Sequence, residues 1–258
     1  MSIALASAWH PRGELSRFKN LITELEQVYV GMVISLPPEA DTEVVRALQG
    51  VGHLQVVITP FWSGGRHLAL EKALETSATH LHYVDFDRLV RWVETRPEEW
   101  RQTVAAIQEV DCLVVGRTEA AYRSHPQALY QTEAISNLVT SYLVGKPLDV
   151  SAGCKGFSRR AAEVLMANCT PGKAFGTDAE WLVLLKRAGF EIDTLAVDGL
   201  DWESADRFLE RAADPQDQLQ AAEVYDADPQ NWFKRVRVAM EIIQSGLEAE
   251  ERYLESTR

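Results

Sequence analysis

Asp85 and Asp87 are the residues best suited to chemistry, because two carboxylates spaced i, i+2 follow the apolar run His80-Leu81-His82-Tyr83-Val84. If the extended pattern runs through both, they face the same side, and their hard oxygens suit Mg²⁺ or Mn²⁺ bridging a diphosphate. The same tripeptide also occurs as a solvated strand end with no ligand. His80 and His82 alternate with apolar neighbours in that run and read as structural.

The elements that must position this pair are alternating β-branched runs and amphipathic segments, the pattern of βα units around a mainly parallel sheet. Residues 2–9, 29–36, 54–61 and 80–86 read as four strands, with helices expected over 15–26, 42–48 and 67–77. A helical stretch over 98–110 and a fifth strand over 111–117 follow. Helical spacing returns over 127–144 and 159–166, and 191–199 reads as a late strand. From Asp201 the sequence turns acidic, is broken by Pro215 and Pro229, and closes with a helix over 232–253. The expected organisation is therefore an α/β domain over 1–200 and a helical C-terminal extension over 201–258. In a parallel α/β sheet, ligands bind beyond the carboxyl ends of the strands, which is where Asp85 and Asp87 fall.

Composition narrows the function classes. The net charge of −12 opposes unaided binding to nucleic acid or an anionic membrane, so an anionic nucleotide needs a metal or local arginine. No apolar run reaches the roughly 18–20 residues that span a bilayer, and charge enters the N-terminus too early for a signal peptide, giving a cytoplasmic expectation. Cys112, Cys154 and Cys169 are far apart in sequence and read as reduced thiols. The first strand lacks a following G-x-G-x-x-G, which disfavours a nicotinamide site.

Four ordered segments carry a family resemblance. SGGRHLALEKALETSATHLHYVDFDR, VVGRTEAAYRS, PLDVSAGCKGFSRRAAEVL and GTDAEWLVLLKRAGFEIDTLAVDG together resemble glycosyltransferase family 2, a nucleotide-diphospho-sugar transferase family with the GT-A fold. The resemblance runs over roughly 1–200 and is strongest to dolichyl-phosphate-mannose-synthase-like members. It implies a GT-A-like α/β fold with a mainly parallel central sheet flanked by helices. It also implies metal-dependent transfer of a sugar from a nucleoside diphosphate to a hydroxyl acceptor, with inversion, the acceptor being small or lipid-linked.

By the same resemblance Asp85 and Asp87 match the donor- and metal-binding aspartates for Mg²⁺ or Mn²⁺, with Asp87 the direct ligand. Gly64, Gly65 and Arg66 fall beside the donor, where a helix N-terminus and a guanidinium favour phosphate. Asp178 matches the general base, although an aspartate there also serves as a helix cap. Asp149 and Lys155 fall on the acceptor side, as a turn residue and a basic loop residue. Trp202 and Glu203 suit stacking on a sugar ring and bonding its hydroxyls, while the tryptophan equally suits anchoring the tail.

The N-terminal motif departs from the family. The first strand ends Ser7-Ala8-Trp9-His10-Pro11, leaving Trp9 to stack on a base and His10 to bond it. That departure keeps a non-catalytic sugar-nucleotide or phosphosugar binding protein in view. A sugar nucleotidyltransferase ranks lower, for want of a G-x-G-T-R-like loop. The apolar residues of the last helix suit docking on the domain or on a second subunit in a homodimer.

Overall fold

The computed structural model describes the backbone of residues 1–256 and the side chains through Tyr253. Its centre is a seven-stranded sheet made of β1 (Ile3–Ala8), β2 (Gly31–Leu36), β3 (Leu54–Ile58), β4 (His80–Val84), β5 (Cys112–Arg117), β6 (Cys154–Ser158) and β7 (Asp193–Val197). The strand order is β3-β2-β1-β4-β6-β5-β7. All neighbouring pairs are parallel except those of β6, which runs antiparallel to both β4 and β5. β1, β2 and β4 are buried almost throughout, as near-continuous apolar runs must be when helices cover both faces.

One face is covered by α1 (Leu15–Val28), α2 (Thr42–Gln49), α4 (Phe86–Thr95) and α5 (Pro97–Ile107), which bury Phe18, Trp92 and Trp100 against β1 and β2. The other is covered by α3 (Gly65–Ala73), α7 (Gln127–Val144), α8 (Arg159–Asn168) and α9 (Thr177–Arg187), which bury Leu70, Leu165 and Trp181. A short helix, α6 (Glu119–Arg123), follows β5. The tail forms α10 (Pro215–Asp226) and α11 (Pro229–Ser256), and α11 lies across α7 and α9. No helix among the described residues is long and apolar enough to cross a membrane.

Three local expectations change. The strand expected through Phe86 stops at Val84, and α4 begins at Phe86 with Asp85 as its N-cap residue. Asp85 and Asp87 are thus a cap and a first-turn residue rather than two teeth of one strand. The acidic tail contains α10, where Asp214 caps the helix by accepting from Gln216 N and Asp217 N and Pro215 follows in the first turn. The third change is β6, an added strand that the short, glycine-interrupted Cys-Lys-Gly-Phe-Ser segment does not advertise. Its glycine is required: a Cβ on Gly156 would lie 2.4 Å from Ile107 side-chain carbons. Pairing Val84 with Cys154 then carries the loop before β6 up to Asp85.

Candidate active site

The strand ends of β1, β2 and β4 open on a cavity of about 230 Å³ whose lining includes Trp9, Gly65, Arg66, Asp85, Asp87 and Glu203. Asp85 is fixed through its backbone, whose N–H donates to Gly153 O at 3.0 Å. Gly153 has φ +64°, and a Cβ there would sit 2.5 Å from Asp85 Oδ2, so only glycine lets the loop approach. The Asp85 carboxylate accepts from Tyr83 Oη at 2.6 Å and from Arg66 at 2.7 Å.

Arg66 stands in the first turn of α3 and bridges two acids. One amino group donates to Asp85, and the other donates to Asp178 Oδ2 at 2.9 Å. The guanidinium also lies over the Tyr83 and Phe175 rings, 5.7 and 5.5 Å from their centroids. Asp178 is buried, and its second oxygen accepts from Lys155 Nζ at 2.7 Å. Burial acts to raise the Asp178 pKa, but Arg66 and Lys155 overcome it and hold the carboxyl below its ordinary range.

This geometry corrects two expectations. Asp178 is neither a helix cap, since no side-chain cap bond forms at α9, nor an open base, since Arg66 and Lys155 occupy its two oxygens and it does not line the cavity. Lys155 is not a loop residue meeting a phosphate. It lies on β6, 1% exposed, bonded to Asp178 and to Val150 O at 3.1 Å. Asp149 likewise lies away from the cavity lining, where it accepts from Arg117 Nε and from Asn137 Nδ2, each at 2.8 Å. Gly64 closes a 3-10 turn behind the lining, while Gly65 opens α3.

Trp9 and Trp202 line the cavity mainly as wall. Trp9 is 3% exposed, packed 4.6 Å from the Phe86 ring, with its indole N–H on Glu14 at 3.2 Å. Its burial leaves only an edge for a base, whereas His10 beside it is exposed. Trp202 packs with Leu129 and Ala222 and anchors the extension to α7, 6.0 Å from the Tyr225 ring.

Asp87 and Glu203 give the cavity its acidic end. Burial, then the charges of Glu203 and Asp85, push the Asp87 carboxyl up to about 7. Glu203 Oε2 is buried without a hydrogen bond, 3.6 Å from Arg88 Nε. Among the described residues no three His, Cys, Asp or Glu side chains converge tightly enough to hold a metal alone. Two crowded carboxylates and an unbonded acidic oxygen nonetheless fit a divalent ion of the kind that takes one or two carboxylates and completes its shell with phosphate oxygens.

Sequence reasoning missed the basic half of the lining. Arg12, Arg207, Tyr225 and Arg235 close the cavity from the extension side. Partial desolvation at the cavity edge and the nearby Arg12 charge depress the Arg207 pKa, and neither residue forms an ion pair among the described residues. Arg235 reaches Glu133 at 2.5 Å and keeps a buried Nε with no partner. Arg12 lies two residues past His10, and Arg207 four past Glu203, so both could have been flagged as unclaimed cations near motif residues.

No protein-family model matches the chain, and no curated protein does. Solved structures do. Glucosyl-3-phosphoglycerate synthase from Mycobacterium tuberculosis superposes with TM-score 0.53 at 17% identity, over 91% of this chain and 80% of that one. The same enzyme's structure with Mn²⁺, uridine diphosphate and phosphoglyceric acid gives TM-score 0.51 at 16% identity, over 91% and 78%. This is a GT-A-like fold. In that frame Asp85 and Asp87 sit where the parallel strands β1 and β4 deliver their carboxyl ends, beside the antiparallel β6 that interrupts the sheet.

Proposed function

We propose that the chain is a metal-dependent glycosyltransferase, moving a sugar from a nucleoside diphosphate to the hydroxyl of an acidic acceptor. One observation carries this reading: a single cavity at the strand ends holds the paired Asp85 and Asp87 together with the Arg66 guanidinium. The fold likeness supports it, and the solved enzyme whose structure holds Mn²⁺, uridine diphosphate and phosphoglyceric acid suggests a uridine donor.

Asp87 and Asp85 would hold the Mg²⁺ or Mn²⁺, which when bound neutralises diphosphate charge. Arg66, locked between two acids, lines the same cavity and sets a fixed positive charge beside the diphosphate without reorganising. The α3 N-terminus at Gly65 adds backbone N–H groups beside the same position. Ser35, Pro37, Thr59 and His10 shape the end away from the acids, where the nucleoside fits.

The acceptor enters from the extension side. Arg12, Arg207 and Arg235 surround that entrance, and a phosphate or carboxylate there supplies the charge that Arg12 and Arg207 lack. In an inverting transfer the acceptor hydroxyl gives its proton to a carboxylate within hydrogen-bond reach. Glu203, whose side chain lines the cavity, takes that task in place of Asp178. Asp178 instead positions Arg66.

The test is turnover. Purified protein with Mn²⁺, UDP-glucose or GDP-mannose, and 3-phosphoglycerate or glycerol as acceptor is assayed for released nucleoside diphosphate. Release that requires both the metal and an acidic acceptor agrees with the reading. Donor binding without release under any acceptor would leave a sugar-nucleotide binding protein.

A further inference from the structure

The cavity at the strand ends continues past its wall on the extension side. Trp202, Ser204, Arg207 and Tyr225 form that wall, and the same four residues line a second cleft of about 620 Å³. The far wall of the cleft is α10, which turns Asp217, Gln220, Ala221 and Val224 to it at the i, i+3, i+4, i+7 spacing of one helix face. The opposite face of α10 buries Gln218 and Ala222. Gln218 Nε2 donates to Trp202 O at 3.1 Å, which fixes the helix against the shared wall. Asp228 and Asn231, where the chain enters α11, complete the lining.

Size divides the work between the two spaces. Sites for drug-sized ligands run to roughly 300–1,000 Å³. The first cavity, at about 230 Å³, is therefore filled by a nucleoside-diphosphate sugar and the acceptor hydroxyl it meets. Whatever else the acceptor carries passes Arg207 into the second cleft.

The polar groups of that cleft are the guide to its occupant. The Gln220 side chain makes no hydrogen bond among the described residues. Asn231 donates through Nδ2 to Tyr225 O at 2.9 Å, which leaves Oδ1 open, and Asp228 accepts from Gln230 N at 2.9 Å through Oδ1 alone. Donors and acceptors thus stand side by side around the exposed Val224, an arrangement suited to hydroxyl groups, each with one donor and two lone pairs. Asp217, whose nearest cation is Arg211 at 3.3 Å, and Asp228 oppose an anionic group inside the cleft. A cationic group would have to pass Arg207 and Arg12 on its way in. The acid of the acceptor accordingly stays at Arg207, and the part beyond it is uncharged and rich in hydroxyls.

Resting on the transferase reading above, we propose that the acceptor is a phosphorylated or carboxylated saccharide, with its acid at Arg207 and its sugar ring or rings in the second cleft.

Isothermal titration of the full chain with glycerol 3-phosphate, glucose 6-phosphate and trehalose 6-phosphate, each with and without Mn²⁺ and UDP, tests this. The series keeps the phosphate and adds no ring, one ring and two. The dissociation constant should fall ~10-fold or more from the first ligand to the last. Gln220→Ala with Asn231→Ala should abolish that gain, and Gln220→Ala alone, at an exposed position, should remove ~3-fold of it. Thermal melts check that each variant is folded. Equal affinities across the series, no binding by any member, a gain that survives both substitutions, or tighter binding of tetralysine than of trehalose 6-phosphate overturns the proposal. UDP binding is measured in the same preparation, so the two readings fail separately. Mn²⁺-dependent UDP binding with indifference to rings overturns the saccharide proposal alone, whereas ring-dependent affinity without UDP binding supports the cleft and overturns the transferase.

Discussion

Arg66 and Asp178 are joined by a buried ion pair of 2.9 Å, and Lys155 occupies the other Asp178 oxygen at 2.7 Å. A carboxylate so enclosed orients a guanidinium; it does not wait for a proton. Removing one partner of such a buried pair leaves an uncompensated charge, so Asp178→Asn should cost about 3 kcal/mol of stability. Chemical denaturation measures this. Rescue of turnover at saturating donor, with the loss confined to donor KM and stability, is the expected pattern for a positioning residue.

Asp87 behaves in the opposite way. It is crowded by Glu203 and Asp85, so Asp87→Asn removes like-charge repulsion and should leave Tm unchanged or raised. Mn²⁺-dependent binding of UDP should nevertheless fall below detection. Calorimetric titration and a thermal melt on the same preparation separate the two effects.

Gly153 lets the loop before β6 touch Asp85. Gly153→Ala combines a positive φ with a Cβ 2.5 Å from Asp85 Oδ2, and either the loop or the carboxylate must shift. The expected cost is roughly 1–3 kcal/mol of stability together with loss of donor affinity, read by denaturation and by UDP titration.

Arg207→Met should raise the KM for an acidic acceptor about tenfold or more while leaving UDP affinity intact, because this guanidinium faces the extension side of the cavity. Initial-rate kinetics with 3-phosphoglycerate as the varied substrate check it. Arg12→Met should act in the same direction.

Stability should decline as pH falls from neutral. Burial lowers His82 from 6.5 to about 3, and burial with the Arg117 and Arg88 charges lowers His125 well below 6.5. The unfolded chain therefore takes up two protons below 6.5 that the folded one refuses, so their contribution is complete above 6.5 and is lost on acidification. Between about pH 6 and 4 the two histidines contribute ~2.7 kcal/mol per pH unit, and Asp87, raised to about 7 and so protonated first in the folded state, offsets about half of it. Below the ordinary aspartate value of 3.8, Asp149 and Asp178, both depressed, add to the loss. Urea titrations across this range measure the slope, and His82→Gln should reduce it by about one proton.

The alternating strand and helix pattern made most of the sheet legible, since β1, β2, β4 and β5 are apolar runs bounded by turn residues. β6 was hidden because five residues with a central glycine give no period. The helix start at Phe86 was hidden because His80 to Phe86 alternates through the boundary, and only the tertiary approach of Gly153 fixes where the strand stops. Asp85, Asp87 and Arg66 were legible as types at a strand end and a glycine turn. Asp178 and Lys155 were legible as charged residues but not in role, because their mutual pairing joins segments 23 residues apart in the chain. Arg235 was read as part of an apolar helix, and its place in the cavity follows only from how α11 crosses α7.

The most direct test of the central claim is isothermal titration of the purified chain with UDP, with and without Mn²⁺. Saturable binding that requires Mn²⁺ and is abolished in Asp87→Asn is the predicted result. Absence of UDP binding in both conditions, or binding indifferent to Mn²⁺ and to Asp87, would contradict the account.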